Sequence, residues 1–430
     1  MKKYWLLIVT VSLFFVSMLG QPYTAQAVGE KNPEVIKIGG IYPITGPLAL
    51  TGIQFVQALK IVQDLVNKSY DIDSPGDIFR SEGLPNLNGA KIRMIFADSE
   101  GQPSVGRSET ERLITQEKVV ALIGCYQSGV TDPVSTVSES HGIPFLDDSA
   151  TAPKLTERGF KWFFRTTPTD VVHVEGMLSL LKELKEARPD LKTKRIAVVC
   201  EDTLFGQNTA EILKERAPQL GFEIVADIAY PHEATDLEAE TLGVKKSNPD
   251  IICMASYLTD AILFHKAFKK YDVTAPILAN STGHIRYEFG KTLGSDANGV
   301  MATQLWSDTL IKTNKMAGVF TKLLRDRFGE GAAMGNLPAR GYIGLLTLVD
   351  AINRAKSTKP EAIRQALIKT DIPAELLPLP WKGVQFDEKG QNNLGGVVII
   401  QWQNQKQKVV WPQDSAEAQI MLPLPPWSQR

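Results

Sequence analysis

The chain has 430 residues, of which 43% are hydrophobic and 22% are charged, and its formal net charge is -1 at pH 7. Because the charge is nearly balanced and no strongly basic stripe is present, nucleic acid is not an expected partner. A chain of this length exceeds what one compact core usually holds, so we expect two domains.

The first segment, residues 1–27, has the pattern of a cleaved export signal. Lys2 and Lys3 give it a positive start, the run from Tyr4 to Leu19 carries no charge, and Ala25-Gln26-Ala27 offers small residues to a signal peptidase. A retained membrane anchor is the alternative, but the uncharged run is shorter than a bilayer crossing requires. We therefore expect cleavage before Val28 and a soluble protein exported to the periplasm.

Short Val- and Ile-rich segments then alternate with longer amphipathic segments. The predicted strands are Val35 to Ile41, Lys91 to Ala97, Val119 to Ile123, Ile143 to Leu146, Arg195 to Cys200, Glu223 to Ile228, Ile251 to Met254, Pro276 to Ala279 and Val300 to Thr303. The predicted helices between them are Gln54 to Val66, Arg107 to Gln116, Val172 to Leu184, Gln207 to Arg216 and Thr259 to Lys270. Strands this apolar, separated by helices, predict an α/β fold with parallel sheets covered on both faces.

The rhythm changes towards the C-terminus. Helices are predicted at Gly341 to Ala355 and Pro360 to Lys369, and strands at Gly383 to Phe386 and Val397 to Trp402, before a Pro-rich tail. The segment Lys68 to Leu87 is long for a helix-to-strand connection and is expected to be a surface excursion.

Three cysteines, Cys125, Cys200 and Cys253, each lie in an apolar run that is typical of a buried strand. Their expected role is that of small buried hydrophobic residues. Pairing of Cys200 with Cys253 on neighbouring strands, in an oxidising compartment, remains open at this point.

Signals for catalysis or for a metal site are weak. Five histidines lack metal-ligand spacing. Adjacent Asp147 and Asp148 lie at a strand end, where neighbouring side chains point to opposite faces, so they are not expected to share a proton. The sequence predicts no metal, no cofactor and no enzymatic activity. An exported hydrolase that uses Asp147, Asp148 or Ser128 is the disfavoured alternative.

The loops that follow the predicted strands are candidates for a ligand site, since small ligands bind beyond the carboxyl ends of strands in open α/β sheets. These loops read Tyr126 to Gly129, Asp147 to Thr151, Glu201 to Gly206, Ser256-Tyr257 and Asn280 to Gly283. Hydroxyls and glycines dominate the first of them, and aromatic residues appear in the later ones. Such a mixture suits a small ligand with one polar end and one apolar face.

Segments spread over the whole chain resemble the branched-chain amino-acid-binding proteins, which are type I periplasmic receptors of ABC importers. The matching segments, in chain order, are Ile38 to Pro47, Gly52, Val120 to Gly124, Ser128, Gly142 to Pro144, Ser149 to Thr156, Phe164 to Thr167, Arg195 to Val199, Phe205-Gly206 and Phe386 to Gly390. The resemblance implies two Rossmann-like lobes joined by three crossing segments, which close over a ligand like a hinge. By position, lobe 1 comprises residues 28–169 and 303–379, and lobe 2 comprises residues 170–302 and 380–430, including the tail.

The resemblance also implies a ligand site. The Ser128 hydroxyl and the Thr151 N–H would hold the ligand's carboxylate, and the Ser149 carbonyl and the Thr151 hydroxyl would take its ammonium. The apolar part would lie against Phe205 and Tyr257. The complete set of implied ligand-binding residues is Thr51, Tyr126, Ser128, Ser149, Ala150, Thr151, Phe205, Tyr257 and Ser281.

The chain departs from the family at Ser281. Amino-acid-binding members carry a carboxylate in this loop, opposite the ammonium, and a buried ammonium without a counter-charge is costly. Either Asp148, Asp202 or Asp260 replaces that carboxylate, or the ligand is not an α-amino acid. Short or aromatic carboxylates and amides are then alternatives.

The expected function is therefore that of a soluble, monomeric receptor. It would capture an amino acid or related small carboxylate by closure of the lobes and present it to the membrane permease of an ABC importer. A ligand-sensing module for a separate signalling partner is the alternative within the same fold.

Overall fold

Two β-sheets organise the computed structural model, which describes residues 33–68, 79–333 and 335–429. The expected signal segment, residues 1–27, and half of the predicted excursion from Lys68 to Leu87 lie outside these residues. The strands are β1 Val35–Tyr42, β2 Lys91–Asp98, β3 Ala121–Gly124, β4 Phe145–Asp147, β5 Phe163–Arg165, β6 Arg195–Glu201, β7 Glu223–Tyr230, β8 Ile251–Ala255, β9 Ile277–Ala279, β10 Met301–Gln304, β11 Ile372–Pro373, β12 Gly383–Val384, β13 Val398–Gln403 and β14 Lys406–Trp411. The α-helices are α1 Ala49–Asn67, α2 Pro103–Thr115, α3 Ser128–His141, α4 Asp170–Ala187, α5 Leu204–Gln219, α6 Glu238–Ser247, α7 Leu258–Lys270, α8 Tyr287–Leu293, α9 Leu310–Thr313, α10 Lys315–Phe328, α11 Asn336–Ala355 and α12 Pro360–Ile368.

The first sheet contains five parallel strands in the order β2-β1-β3-β4-β5. Apart from the edge strand β2, its strands are largely buried on both faces because helices cover them. Ile38 and Ile41, whose side chains point to opposite faces, are both fully buried. Parallel pairing places the carboxyl ends of all five strands at one edge, where the predicted loops meet.

The second sheet has seven strands in the order β14-β13-β10-β9-β8-β6-β7. Strands β6 to β10 pair in parallel, as predicted, whereas β13 and β14 join the edge as an antiparallel pair. The prediction of parallel sheets is therefore corrected at this edge. A turn between Gln403 and Lys406 is short enough to form a hairpin but not a parallel crossover.

The chain passes three times between the two sheets: after β5, after β10 and before β13. After the second passage, α11 returns to the first sheet and packs on α1. A Cβ atom on Gly341 would lie only 3.0 Å from Leu59 Cδ1, and one on Gly344 would lie 2.7 Å from Asp148 Cβ. The α/β prediction with two Rossmann-like lobes is confirmed, and the exact lobe boundaries stay a prediction.

All three cysteines are buried and free. In the β6–β8 register Cys253 lies opposite Val198 and Cys200 lies opposite Ala255, so the two thiols are not directly paired and no disulfide forms. Burial raises the pKa of all three thiols, that of Cys253 to about 12. They act as small buried hydrophobic residues.

Within the described residues, no helix is both long and apolar enough to cross a membrane. In the same part of the chain, no group of three or more His, Cys, Asp or Glu side chains is placed so that it could hold a metal ion.

Candidate functional site

The N-terminus of α3 forms one wall of the candidate site. The helix starts at Ser128, and its N-cap, Gln127, makes no side-chain capping hydrogen bond. The first N–H groups of a helix have no acceptor inside the helix, so this end can receive an anion. The Ser128 hydroxyl accepts a hydrogen bond from the Ala152 N–H at 3.3 Å, which brings it beside Thr151.

The loop after β4 continues this wall, and its two carboxylates have separate tasks. Asp147 Oδ1 accepts from the N–H groups of Ser149 at 2.9 Å and Ala150 at 2.8 Å, and so closes the turn. Asp148 accepts from the Tyr42 hydroxyl at 2.6 Å and from the Ser149 hydroxyl at 2.8 Å. Burial raises the pKa of both, that of Asp147 to about 7. Because each carboxylate has its own partners, the two do not act as an acid–base pair.

Arg165, at the end of β5, donates hydrogen bonds to the backbone of the same loop. It was not predicted as a site residue. It is fully buried, and its Nη1 donates to the carbonyls of Ala150 at 3.2 Å and Ala152 at 2.7 Å. Its Nη2 donates to Thr156 Oγ1 at 3.1 Å and its Nε to Gln391 Oε1 at 2.6 Å. Arg165 thus fixes the backbone on either side of Thr151.

Aromatic side chains from both sheets meet opposite this wall. Phe205 lies in the first turn of α5 and Tyr257 is the N-cap of α7, and their ring centroids are 5.5 Å apart. Tyr257 is also 5.8 Å from Tyr126, which follows β3 and has a φ of 87°. His232, another residue that the sequence analysis did not place here, makes an edge contact with Tyr257 at 5.1 Å.

The N-terminus of α5 differs from that of α3 because the protein fills it with its own carboxylate. Glu201 accepts from the N–H groups of Thr203 at 2.7 Å and Gly206 at 2.8 Å. Asp260 lies in the first turn of α7, three residues after Tyr257. Burial and, as the second cause, the negative charge of Glu201 raise the pKa of Asp260 to about 7. This second wall is apolar and acidic, so an anionic ligand group is better received by the first wall.

Ser281 follows β9, and its hydroxyl oxygen is buried with no hydrogen-bond partner among the described residues. Its N–H donates to Asn280 Oδ1 at 2.8 Å, and Asn280 Nδ2 donates to Asp170 Oδ1 at 2.9 Å. Asp170 is fully buried at the start of α4, and burial raises its pKa to about 6, while a hydrogen bond with Thr151 opposes the rise. Asp170 is therefore a carboxylate between the two walls that the sequence analysis missed.

Two arginines also reach the site without having been predicted. Arg340, on α11, donates from Nε to the Asp148 carbonyl at 3.2 Å and from Nη2 to the Ser149 carbonyl. A cation thus already occupies the carbonyl that the family resemblance assigned to a ligand ammonium. Arg286 lies at the start of α8 and is 5% exposed. Arg286 comes five residues after Ser281 in the segment that follows β9, and this position was the signal in the sequence that could have indicated a site residue.

The structure brings the predicted site residues to two facing edges. Those at the first sheet's edge are Thr51, Tyr126, Ser128, Ser149, Ala150 and Thr151, and those at the second sheet's edge are Phe205, Tyr257 and Ser281. All nine are buried. Of the three aspartates considered as substitutes for the missing carboxylate, Asp202 is exposed and accepts from the His232 N–H at 3.0 Å. The ligand contacts of these residues stay a prediction.

Two α/β lobes whose strand-end loops face each other across aromatic side chains define a type I ligand receptor. A family model described as periplasmic binding protein matches residues 35–407. The chain therefore belongs to the periplasmic binding protein family, within the class of branched-chain amino-acid-binding proteins.

Relatives and solved structures agree with this membership. The Leu/Ile/Val-binding protein homolog 7 of Brucella suis biovar 1 (strain 1330) is 27% identical over 397 residues, which cover 90% of this chain and 94% of the relative. The leucine binding protein LivK from Thermotoga maritima MSB8 has a TM-score of 0.74 at 20% identity, covering 87% of this chain and 97% of that one. An ABC transporter solute-binding protein from R. palustris, solved in complex with 4-hydroxybenzoate, has a TM-score of 0.72 at 18% identity, covering 87% and 95%.

Proposed function

We propose that the protein captures a small carboxylate or amino acid between its two lobes and delivers it to the permease of an ABC importer. The observation that carries the proposal is the difference between two helix N-termini. Glu201 fills that of α5, whereas that of α3 has the Ser128 hydroxyl beside it and no capping side chain. The α3 end can therefore take the ligand's carboxylate, with Phe205 and Tyr257 against its apolar part.

The names of similar proteins support the same class of ligand. The Brucella relative is named for leucine, isoleucine and valine, and the R. palustris protein was solved with an aromatic acid. Both kinds of ligand combine a carboxylate with an apolar portion. We propose that the protein works as a monomer in the periplasm, by closure of the lobes, as the family membership suggests.

The competing functions are weaker. A sensory module of the same fold would bind ligand in the same cleft, and neighbouring genes for a permease and an ATPase would favour the importer. A hydrolase would need an activated nucleophile. The Ser128 hydroxyl accepts from the Ala152 N–H, and Asp147 is engaged in its own turn.

The proposal is tested by a thermal-shift screen of amino acids and carboxylates on ligand-stripped protein. A cognate ligand should raise the melting temperature by mass action, in proportion to the logarithm of its concentration over its Kd. A panel without any stabilising amino acid or carboxylate would contradict the proposed ligand class.

Ser128→Ala is expected to weaken binding of the stabilising ligand about tenfold or more, since a hydrogen bond to a charged group contributes about 1.5 to 3 kcal/mol. Ser140→Ala, at the exposed far end of the same helix, is the matched control and should bind as the parent does. Calorimetric titration of the three proteins measures the difference. Equal affinities of the parent and Ser128→Ala would place the carboxylate elsewhere.

Export processing is a separate prediction, because residues 1–27 lie outside the described part of the chain. Protein recovered from the periplasm should have an intact mass that begins at Val28. A mass that still includes Met1 to Ala27, or an added lipid, would contradict it.

A further inference from the structure

Arg286 has hydrogen-bonding capacity that the protein itself does not use. Its Nε pairs with Glu288 Oε2 at 3.3 Å, whereas its Nη2 is buried and has no partner among the described residues. A buried guanidinium N–H without an acceptor costs free energy, and such a group is satisfied when a ligand oxygen reaches it.

Both lobes contribute to the space around Arg286. A small cavity beside it is lined from one side by Gln54 of α1 and by Asn336 and Leu337 of α11, and from the other by Tyr287 and Glu288 of α8. A ligand group here would be contacted by elements that the two sheets carry separately. The position therefore lies between elements of the two lobes, and the positive charge of Arg286, which acts on Tyr126, links it to the candidate site.

The charges around the cleft are divided between its two ends. The pKa of Tyr126 is raised by burial, and the positive charges of Arg286 and Arg340 oppose this rise. The pKa of Tyr257 is raised by burial and, in addition, by negative charges that include Glu201. An acid group is thus attracted to the Tyr126 end and repelled from the Tyr257 end.

Of the two arginines at the positive end, Arg286 has donors left for a ligand. Arg340 is faced by Asp148, and it donates to the carbonyls of Asp148 and Ser149. Arg286 has one ion-pair contact, through Nε, and Glu288 is partly exposed. A guanidinium presents a planar fork of donors that matches a carboxylate, which makes this a suitable carboxylate subsite.

We propose that Arg286 forms a second anion subsite of the cleft, so that the ligand is a dicarboxylate whose first acid lies at the N-terminus of α3. This inference rests on the proposed function, since it assumes that the α3 end binds the first acid. The apolar middle of such a ligand would pass the aromatic residues between the two subsites. Such a ligand differs from leucine, because the end of leucine that is remote from its carboxylate is purely apolar.

The test uses α,ω-dicarboxylates from succinate to suberate together with benzene-1,4-dicarboxylate, each compared with its monocarboxylate of the same skeleton. In the parent, at least one dicarboxylate should bind about tenfold more tightly than its monocarboxylate. Arg286→Gln should remove that advantage, whereas the affinity for the monocarboxylate, which does not reach the Arg286 donors, should fall by a much smaller factor. Arg286→Lys should recover part of it, because the charge returns without the planar fork.

Arg188→Gln, which removes an exposed arginine of α4's C-cap, controls for the change in net charge and should bind as the parent does. If the parent binds monocarboxylates as tightly as dicarboxylates, or if Arg286→Gln binds every probe as the parent does, the inference is wrong. A loss of binding in Ser128→Ala alone would then leave the proposed function standing. Unchanged binding in both variants would overturn the proposed site as well.

Discussion

Arg165→Met is expected to lower the free energy of unfolding by about 3 to 5 kcal/mol, because several buried oxygens lose a charged donor and each such hydrogen bond contributes about 1.5 to 3 kcal/mol. Methionine fills part of the space but cannot donate to the carbonyls of Ala150 and Ala152 or to Gln391. Asp147 would also lose the nearby positive charge that now opposes the rise of its pKa. Ligand affinity should fall as well, because the backbone around Thr151 loses its support.

Urea unfolding followed by circular dichroism measures the change, and ligand titration at low temperature measures the effect on the remaining folded protein. Arg188→Met, at an exposed arginine, should leave the urea midpoint unchanged. An unchanged midpoint for Arg165→Met as well would show that the loop after β4 is held by other contacts.

Most of the fold could be predicted because the buried strands are short, apolar and separated by amphipathic helices. The predicted strand at Arg195 to Cys200, for example, is confirmed as β6 with one more residue. The strand β5 was missed because Phe163–Arg165 is short, contains no Val or Ile and ends in a charged residue. The hairpin strand β14 was missed because its polar residues resemble a surface loop.

Helix α3 was missed for a different reason. Its sequence is rich in Ser and Thr and contains Pro133, and its apolar stripe consists only of Val130, Val134 and Val137. Two of its buried hydroxyls bond to carbonyls one turn earlier: Thr131 donates to the Gln127 carbonyl at 3.0 Å and Ser135 to the Thr131 carbonyl at 2.6 Å. Periodicity of apolar residues gives only a weak signal for a helix that buries hydroxyl groups in this way.

The candidate site also contains residues that the sequence could indicate and residues that it could not. Residues such as Ser128 and Tyr257 follow predicted strands directly, so the strand-end rule was sufficient to select them. Arg340 reaches Ser149 from a helix 191 residues further along the chain, and Asp170 lies at the start of a helix between the sheets. Arg340 follows no strand and comes to the cleft only through the packing of α11, whereas Asp170 follows β5, a strand that was not predicted.

Ser281→Glu is expected to change the ligand preference of the cleft by about a hundredfold, towards ligands that carry an ammonium group. The parent offers the buried hydroxyl of Ser281 at the position where the family resemblance implies a carboxylate in amino-acid receptors, and Arg340 already donates to the Ser149 carbonyl. We therefore predict that the parent binds 2-keto acids at least as well as the matching amino acids. A glutamate at position 281 would pair with an ammonium and repel an acid that lacks one.

Calorimetry measures this preference on three proteins: the parent, Ser281→Glu and the uncharged control Ser281→Gln. Leucine and its 2-keto analogue test ligands with one acid group. Glutamate and 2-oxoglutarate test ligands with two. The glutamine variant controls for the added volume and should keep the parent's preference. Tight binding of an amino acid by the parent, without a response to its keto acid, would show that another carboxylate supplies the counter-charge. Asp170 would then be the first candidate, because its Oδ2 is buried without a partner among the described residues and the residue hydrogen-bonds both Thr151 and Asn280. In that case Asp170→Asn should lose the amino acid selectively, since it keeps the shape of the side chain and removes only its charge.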